Sequence, residues 1–251
     1  MKFAITPCPN DTFSYCALIS GAIASDLDFV FEDIETLNTL AKDGTYPVTK
    51  LSFAAYANLT DKYELLDAGA AMGIGTGPVL VGKRGEVFTP DKEVLVPGLN
   101  TTAALLMRFY AGKNLKLRPM MFRGIADAVS RGEADFGVLI HEGRFVYKNA
   151  GLELVADLGA HWTERTELPV PLGCICIRRD FISKKEVVEK KIRDSIAAAF
   201  SDPESVYPFV RKYAQYLDED VLQKHIYAFV NGYSKSIEPI REKILENLLK
   251  C

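Results

Sequence analysis

The sequence predicts an α/β protein of two lobes around a central ligand cleft, and three observations predict it. Short apolar runs alternate with polar loops and helix-spaced segments from Lys2 to Arg178. The glycines of AAMGIGTGPVLVGK lead into another strand-like run and not into a helix, which reads as a backbone crossing between lobes. LPVPLGCICIRRD then reads as a strand returning across the hinge, and from Lys184 onward nearly everything has amphipathic helical spacing. Strands alternating with helices argue for parallel sheets covered on both faces. Two such sets, joined by crossings near 78–82 and 174–178, give a first lobe of residues 1–80 with 178–251 and a second of residues 81–177.

Each element has its own signal. KFAI is a short buried strand, and the loop TPCPND follows it. Tyr15, Leu18, Ile19, Ala22 and Ile23 then recur at helical spacing, with Asn10 or Asp11 placed to cap. LDFVFEDI alternates as a strand does, and ETLNTLAKDG is a short helix ending near Gly44. VTKL is a strand, Ser52 is placed to cap, and FAAYANL continues as a helix before the short strand in DKYELLDAG. Beyond the glycines, EVLVPG and LRPMMF are strands flanking the helix AALLMRFY, and GIADAVSRG is a helix closed by Gly132. DFGVLI is an uninterrupted apolar run of the buried-strand type, ending in HEGRF.

Composition excludes several classes. The 251 residues are 48% hydrophobic and 25% charged, and 30 basic against 33 acidic side chains leave −3, with no basic run suited to nucleic acid. KKEVVEKKIRD alternates signs, as a solvated helix face does. No stretch approaches the ~18 apolar residues of a membrane span. MKFAITPCPND lacks the apolar core of a signal peptide, and Cys8, Cys16, Cys174, Cys176 and Cys251 are irregularly spaced, so reduced thiols in the cytoplasm are expected.

Ligands of open α/β sheets bind beyond the carboxyl ends of the strands. Loops 6–12, 49–52, 98–102 and 141–144 occupy that position. Helix N-termini behind them favour an anion, so Asn10, Asp11 and Thr12 are expected in one wall. Of three histidines, His225 reads as structural and His161 as ambiguous, whereas His141 directly follows a strand and points at the presumed cleft. There it is either a general base or a hydrogen-bonded residue at a strand end. Glu142 and Asp11 are the next candidate bases. Ser52, Thr101 and Thr102 are caps or ligand contacts, and Lys50 attracts a carboxylate or is an ordinary exposed lysine. Cys174 and Cys176 face one side of a strand and read as small buried apolar groups. HEGRF lacks the second histidine of a zinc motif, and neither a phosphate loop nor a serine-nucleophile elbow is present. No metal and no cofactor are expected.

TPCPNDTF (6–13), VTKLSFAAYA (48–57), GTGPVLV (75–81), VPGLNTTAALLMR (96–108), RGEADFGVLIHEGRF (131–145), ELPVPLG (167–173) and HIYAFVNGYS (225–234) together resemble the 1,4-dihydroxy-6-naphthoate synthase family of the futalosine route to menaquinone. The resemblance implies a fold like type 2 periplasmic binding proteins, used as a cytoplasmic enzyme. It implies the carboxylate-bearing substrate cyclic dehypoxanthinylfutalosine, cleaved to 1,4-dihydroxy-6-naphthoate and a three-carbon fragment. It makes His141 the catalytic base and Lys50, Leu51, Ser52, Thr101 and Thr102 part of the ligand-holding segments. Chorismate dehydratase of the same pathway, a non-catalytic solute-binding protein and a ligand-sensing module share the architecture. The residues leave the oligomeric state open.

Overall fold

The computed structural model describes residues 1–141, 143–214 and 219–250, so Glu142 and Cys251 lie outside the described residues. The strands are β1 (Lys2–Ile5), β2 (Asp28–Phe31), β3 (Val48–Ser52), β4 (Tyr63–Leu65), β5 (Ala71–Gly73), β6 (Val79–Lys83), β7 (Glu93–Val96), β8 (Lys116–Pro119), β9 (Phe136–Leu139), β10 (Leu152–Asp157) and β11 (Val170–Arg178). They form two sheets, ordered β2-β1-β3-β11-β4 with β5 on β11, and β10-β6-β9-β7-β8.

The sheets are mixed, not parallel as expected. β1 runs parallel to β2 and β3, and β7 runs parallel to β8 and β9. β11 runs antiparallel to β3, β4 and β5, and β6 antiparallel to β9 and β10. β6 and β11 are the strands that arrive from the other sheet. They enter from the end facing it, which reverses their direction.

Both crossings also come earlier in the chain than expected. β6 is paired with the second sheet from Val79, and β11 with the first sheet from Val170. LPVPLGCICIRRD is the strand expected, and Pro171 within it sits opposite Met72, next to a register shift that absorbs its missing N–H. The first helix is shorter than its apolar stripe predicts. Pro9–Ser14 and Cys16–Ile19 are helical, Gly21 turns left-handed at φ 79°, and Ala22 and Ile23 fall outside.

Three apolar clusters hold these layers. Phe3, Ile5, Phe13 and Ile175 pack on Ile192, Ile196 and Ile226 of the tail helices. Val79, Val81 and Leu95 of the second sheet pack on Ile125 and Val129 of the helix Phe122–Arg131. The third cluster is continuous between the sheets, joining Leu51, Phe53, Val170 and Cys174 to Leu80, Val96, Met107 and Trp162. The tail is also pinned by Asp67, whose carboxylate accepts from Ser236 Oγ (2.8 Å), Ile237 N (2.9 Å), Glu238 N (2.8 Å) and the Arg193 guanidinium (2.7 Å).

At the first crossing, backbone meets backbone. A Cβ added to Gly159 would lie 2.7 Å from Gly77 Cα and 2.8 Å from Gly77 N. Backbone cannot yield cheaply, so Gly159→Ala is expected to cost roughly 1–3 kcal/mol, as overpacking does. Gly124→Ala lies within a helix, where the added Cβ meets only Met120 Sδ at an ordinary 3.6 Å. It should be neutral or stabilising, by up to about 1 kcal/mol. Thermal unfolding of the two variants beside the parent checks the contrast.

Candidate active site

A cavity lined from both sheets lies in the cleft between them. Asn10, Lys50, Ser52, Thr101, Thr102 and His141 line it, so six of the expected site residues meet there. Asp11, Thr12 and Leu51 do not line it. Leu51 alternates to the opposite face of β3, opposite Cys174, and is fully buried in the apolar cluster. Thr12 turns its hydroxyl back to Cys8 O (3.1 Å).

The loop TPCPND is built around Asp11. Pro9 opens the helix at a position where its missing N–H costs nothing, and the N-cap Cys8 makes no side-chain capping bond. Asn10 and Asp11 are therefore in the first turn and do not cap as expected. Asp11 Oδ2 accepts from Thr6 N (3.1 Å) and Thr6 Oγ1 (2.6 Å). Its Oδ1 accepts from Asn10 Nδ2 (2.8 Å) and Lys50 Nζ (2.5 Å). The ion pair is buried, with side chains 5% and 4% exposed. The N–H groups of Asp11 and Thr12 both bond Cys8 O. The anion expected at this helix start is thus the protein's own, and Asp11 has no free oxygen with which to act as a base.

Lys50 spends one N–H on Asp11 and keeps two others at the cavity wall. Its stem lies against Gly173, where an added Cβ would come within 2.9 Å of Lys50 Cε. Ser52 starts the helix Phe53–Tyr56 but makes no side-chain cap. Its Oγ accepts from Asn38 Nδ2 (3.0 Å) while its N–H donates to Asn38 Oδ1 (2.9 Å). Thr101 does cap, accepting from Ala104 N (3.2 Å) and donating to Gly98 O (2.7 Å). Thr102 ties the lobes, donating to Leu172 O (3.0 Å) and accepting from Ala54 N (3.3 Å).

His141 stands just past β9 with φ 51°, a left-handed conformation that a non-glycine residue adopts only when its surroundings hold it. Its ring packs against Phe122 (centroids 5.1 Å apart, tilted 60°) and against His225 (5.6 Å, 11°), with Nε2 3.7 Å from Cys8 Sγ. Burial first, and the Lys50 ammonium second, push its pKa down to about 3. The half-buried imidazole is therefore neutral near pH 7 and able to accept a proton.

Sequence reasoning set His225 aside as structural, yet it is fully buried against His141. Asn10 Nδ2 faces Asp11, so Asn10 Oδ1 faces His225 Nε2 (3.0 Å), which must carry the proton. Burial, then His141 and Lys50, depress its pKa as well. One polar residue on the otherwise apolar face of the helix Glu219–Phe229 was the available signal. Asn38 was missed too, because its partners are 14 and 62 residues away. His161 packs elsewhere, against Phe109 and Tyr110. Cys174 and Cys176 are buried as expected. Among the described residues, no helix is long and apolar enough to cross a membrane.

Over residues 1–251 the chain matches the protein family described as Menaquinone biosynthesis. It is 39% identical to the "1,4-dihydroxy-6-naphtoate synthase" of Thermus thermophilus over 99% of this chain and 92% of that protein. It is 37% identical to the protein of the same name from Streptomyces coelicolor, over 94% and 87%. A crystal structure of an Archaeoglobus fulgidus protein superposes with a TM-score of 0.93 at 37% identity, over 99% of this chain and 95% of that one. The ligand-binding component of an ABC-type import system from Staphylococcus aureus shares the fold alone (TM-score 0.72, 14% identity, 100% and 90% covered). So does the periplasmic aliphatic sulphonate binding protein of Escherichia coli (TM-score 0.65, 10% identity, 100% and 86% covered). Two sheets about a cleft, matched along the whole chain, place this protein in the menaquinone-biosynthesis family on a periplasmic-binding-protein-like fold.

Proposed function

We propose that the chain is a carbon–carbon lyase that converts cyclic dehypoxanthinylfutalosine to 1,4-dihydroxy-6-naphthoate, with His141 as the general base. The observation that carries the reading is a neutral imidazole held in a left-handed backbone conformation at the wall of the interlobe cavity. A binding protein needs a shaped cleft and hydrogen bonds, but it has no need of a strained, deprotonated base. The names of the two relatives support the same reaction over chorismate dehydration.

The residues divide the work. The two uncommitted N–H groups of Lys50 and its charge suit the substrate carboxylate, and Ser52 offers its hydroxyl proton to a ligand oxygen. His141 accepts the proton whose removal starts carbon–carbon scission, and the aromatic ring that forms supplies driving force. Burial keeps the imidazole unprotonated before substrate arrives and disfavours its cation afterwards. The proton therefore has to leave His141 before the next turnover.

Incubation of the protein with the cyclic substrate, followed by chromatography, should yield the naphthoate product without added cofactor. Tight binding with no turnover would make the chain a sensor.

His141→Asn should lower kcat by ~10²–10⁴-fold, the usual contribution of a general base, while product affinity stays near parental. Because the folded pKa lies far below the ordinary value of about 6.5, the acid limb of kcat/KM should fall below pH 6. The rate should rise, not fall, as that group loses its proton. Near-parental turnover in His141→Asn, or a limb of opposite sign, removes the residue as base.

The two hydroxyls should separate in their effects. Ser52→Ala removes a donor at the cavity and should raise KM about 2- to 10-fold, the worth of one hydrogen bond. Thr101→Val removes a helix cap and should cost ~0.5–2 kcal/mol of stability with KM near parental. Kinetics and thermal melts of both variants decide it.

A further inference from the structure

We propose that His225 is a positioning residue for His141, contributed across the cleft, so that the base is in place only when the lobes are together. The inference rests on His141 being the base. His141 and Phe122 belong to the second-sheet side: His141 follows β9, and Phe122 starts the helix packed on that sheet. His225 and Phe229 lie on a tail helix, and Asn10 and Cys8 on the helix Pro9–Ser14 and its N-cap, all on the first-sheet side.

The two imidazoles lie almost parallel, 11° apart, with centroids separated by 5.6 Å. Phe122 packs on His141 from its own lobe, so one ring from each lobe contacts the catalytic ring. The cross-cleft ring is itself immobilised. Phe229 meets its edge at 78° and 5.1 Å, and Asn10 Oδ1 holds its Nε2–H at 3.0 Å. Asn10 is fixed in turn by Asp11, and Asp11 by Lys50 and Thr6. A continuous set of contacts thus runs from the proposed carboxylate partner to the ring that faces the base.

Among the described residues, the titratable groups facing this pair are Lys50 from β3, Asp11 and Cys8 from the helix Pro9–Ser14 and its N-cap, and the two imidazoles themselves. With Nε2–H given to Asn10, His225 presents a neutral face to His141. A neutral ring adds no positive charge to oppose the transient His141 cation, and it excludes water from one side of it. His225 does not line the cavity, so it acts through His141 and not on the substrate.

The experiment compares His225→Gln, which keeps an N–H donor for Asn10 but removes the ring, with His225→Phe, which keeps the ring. His225→Gln should lower kcat by roughly 10- to 100-fold, as misplaced catalytic groups do, with KM within about 2-fold and the acid limb moved toward the ordinary histidine value. His225→Phe should recover most of kcat and keep the limb near its parental position. In the His141→Asn background, His225→Gln should have no further effect on kcat, because its influence passes through the missing ring.

With three histidines in the chain, ¹⁵N-imidazole spectra of the parent and the single variants should show His225 as the Nε2–H tautomer and His141 as neutral at pH 6. Product affinity and melting temperature establish that each variant is folded. Equal losses in the Gln and Phe variants, a rise in KM in place of a fall in kcat, additivity with His141→Asn, or an Nδ1–H tautomer for His225 would each overturn the proposal. Full activity in His141→Asn would instead overturn the base assignment on which it rests.

Discussion

The buried ion pair between Lys50 and Asp11 is the constraint on which the rest of the site depends. Taking both charges out of water is costly, and their mutual attraction offsets that cost only when every remaining lone pair is met. Here it is: the carboxylate also accepts from Thr6 N, Thr6 Oγ1 and Asn10 Nδ2. This explains the composition of the loop that follows β1. Pro9 starts a helix at once, Thr6 folds over the carboxylate, and Asn10 is left with one amide oxygen directed at His225. Removal of either charge would leave the other buried without its partner, so the pair behaves as a unit with the loop it organises.

The second organising feature is that the lobes are not independent. One apolar cluster runs through both sheets, and Thr102, Asn38 and Asn100 cross between them by hydrogen bonds. Glu35 closes the same junction, accepting from Asn100 N (3.2 Å) and Asn100 Nδ2 (2.6 Å). Gly98 lies so close to that carboxylate that a Cβ would sit 2.4 Å from it. Arg144 adds a further tie beside the cavity, bonding Gly77 O and pairing with Asp157 at 3.1 Å. The cleft is therefore walled by side chains already committed to one another. Few polar groups are left for a ligand, chiefly the spare donors of Lys50, the Ser52 hydroxyl and the His141 ring.

A solute-binding architecture suits such chemistry for a physical reason. Two lobes that close on a ligand exclude water, and low polarity strengthens each electrostatic contact inside. The same exclusion lowers the pKa of His141. Burial thus serves both to hold a small anion and to keep the base unprotonated. Distantly related binding proteins share the fold, and the difference lies in which side chains the closing surfaces carry.

Local signals were enough for most of the strands, though not for β5 or β10, for the helix ended by Gly132 and for His141 at a strand end, because each depends on residues within a turn or two of itself. Periodicity also placed Cys174 and Cys176 inside. The tertiary structure alone decided what depends on direction and on distant partners. Strand polarity reversed at β6 and β11 because the chain changes sheets there. Asp11 turned from a supposed ligand contact into an internal counter-ion because Lys50, 39 residues on, reaches it before any ligand does. His225 came to rest on His141 although 84 residues separate the two positions (225 − 141), since only the packing of the tail on the first lobe brings them together. Short-range periodicity specifies which face of an element is buried, but it carries no information about which distant side chain will meet that face.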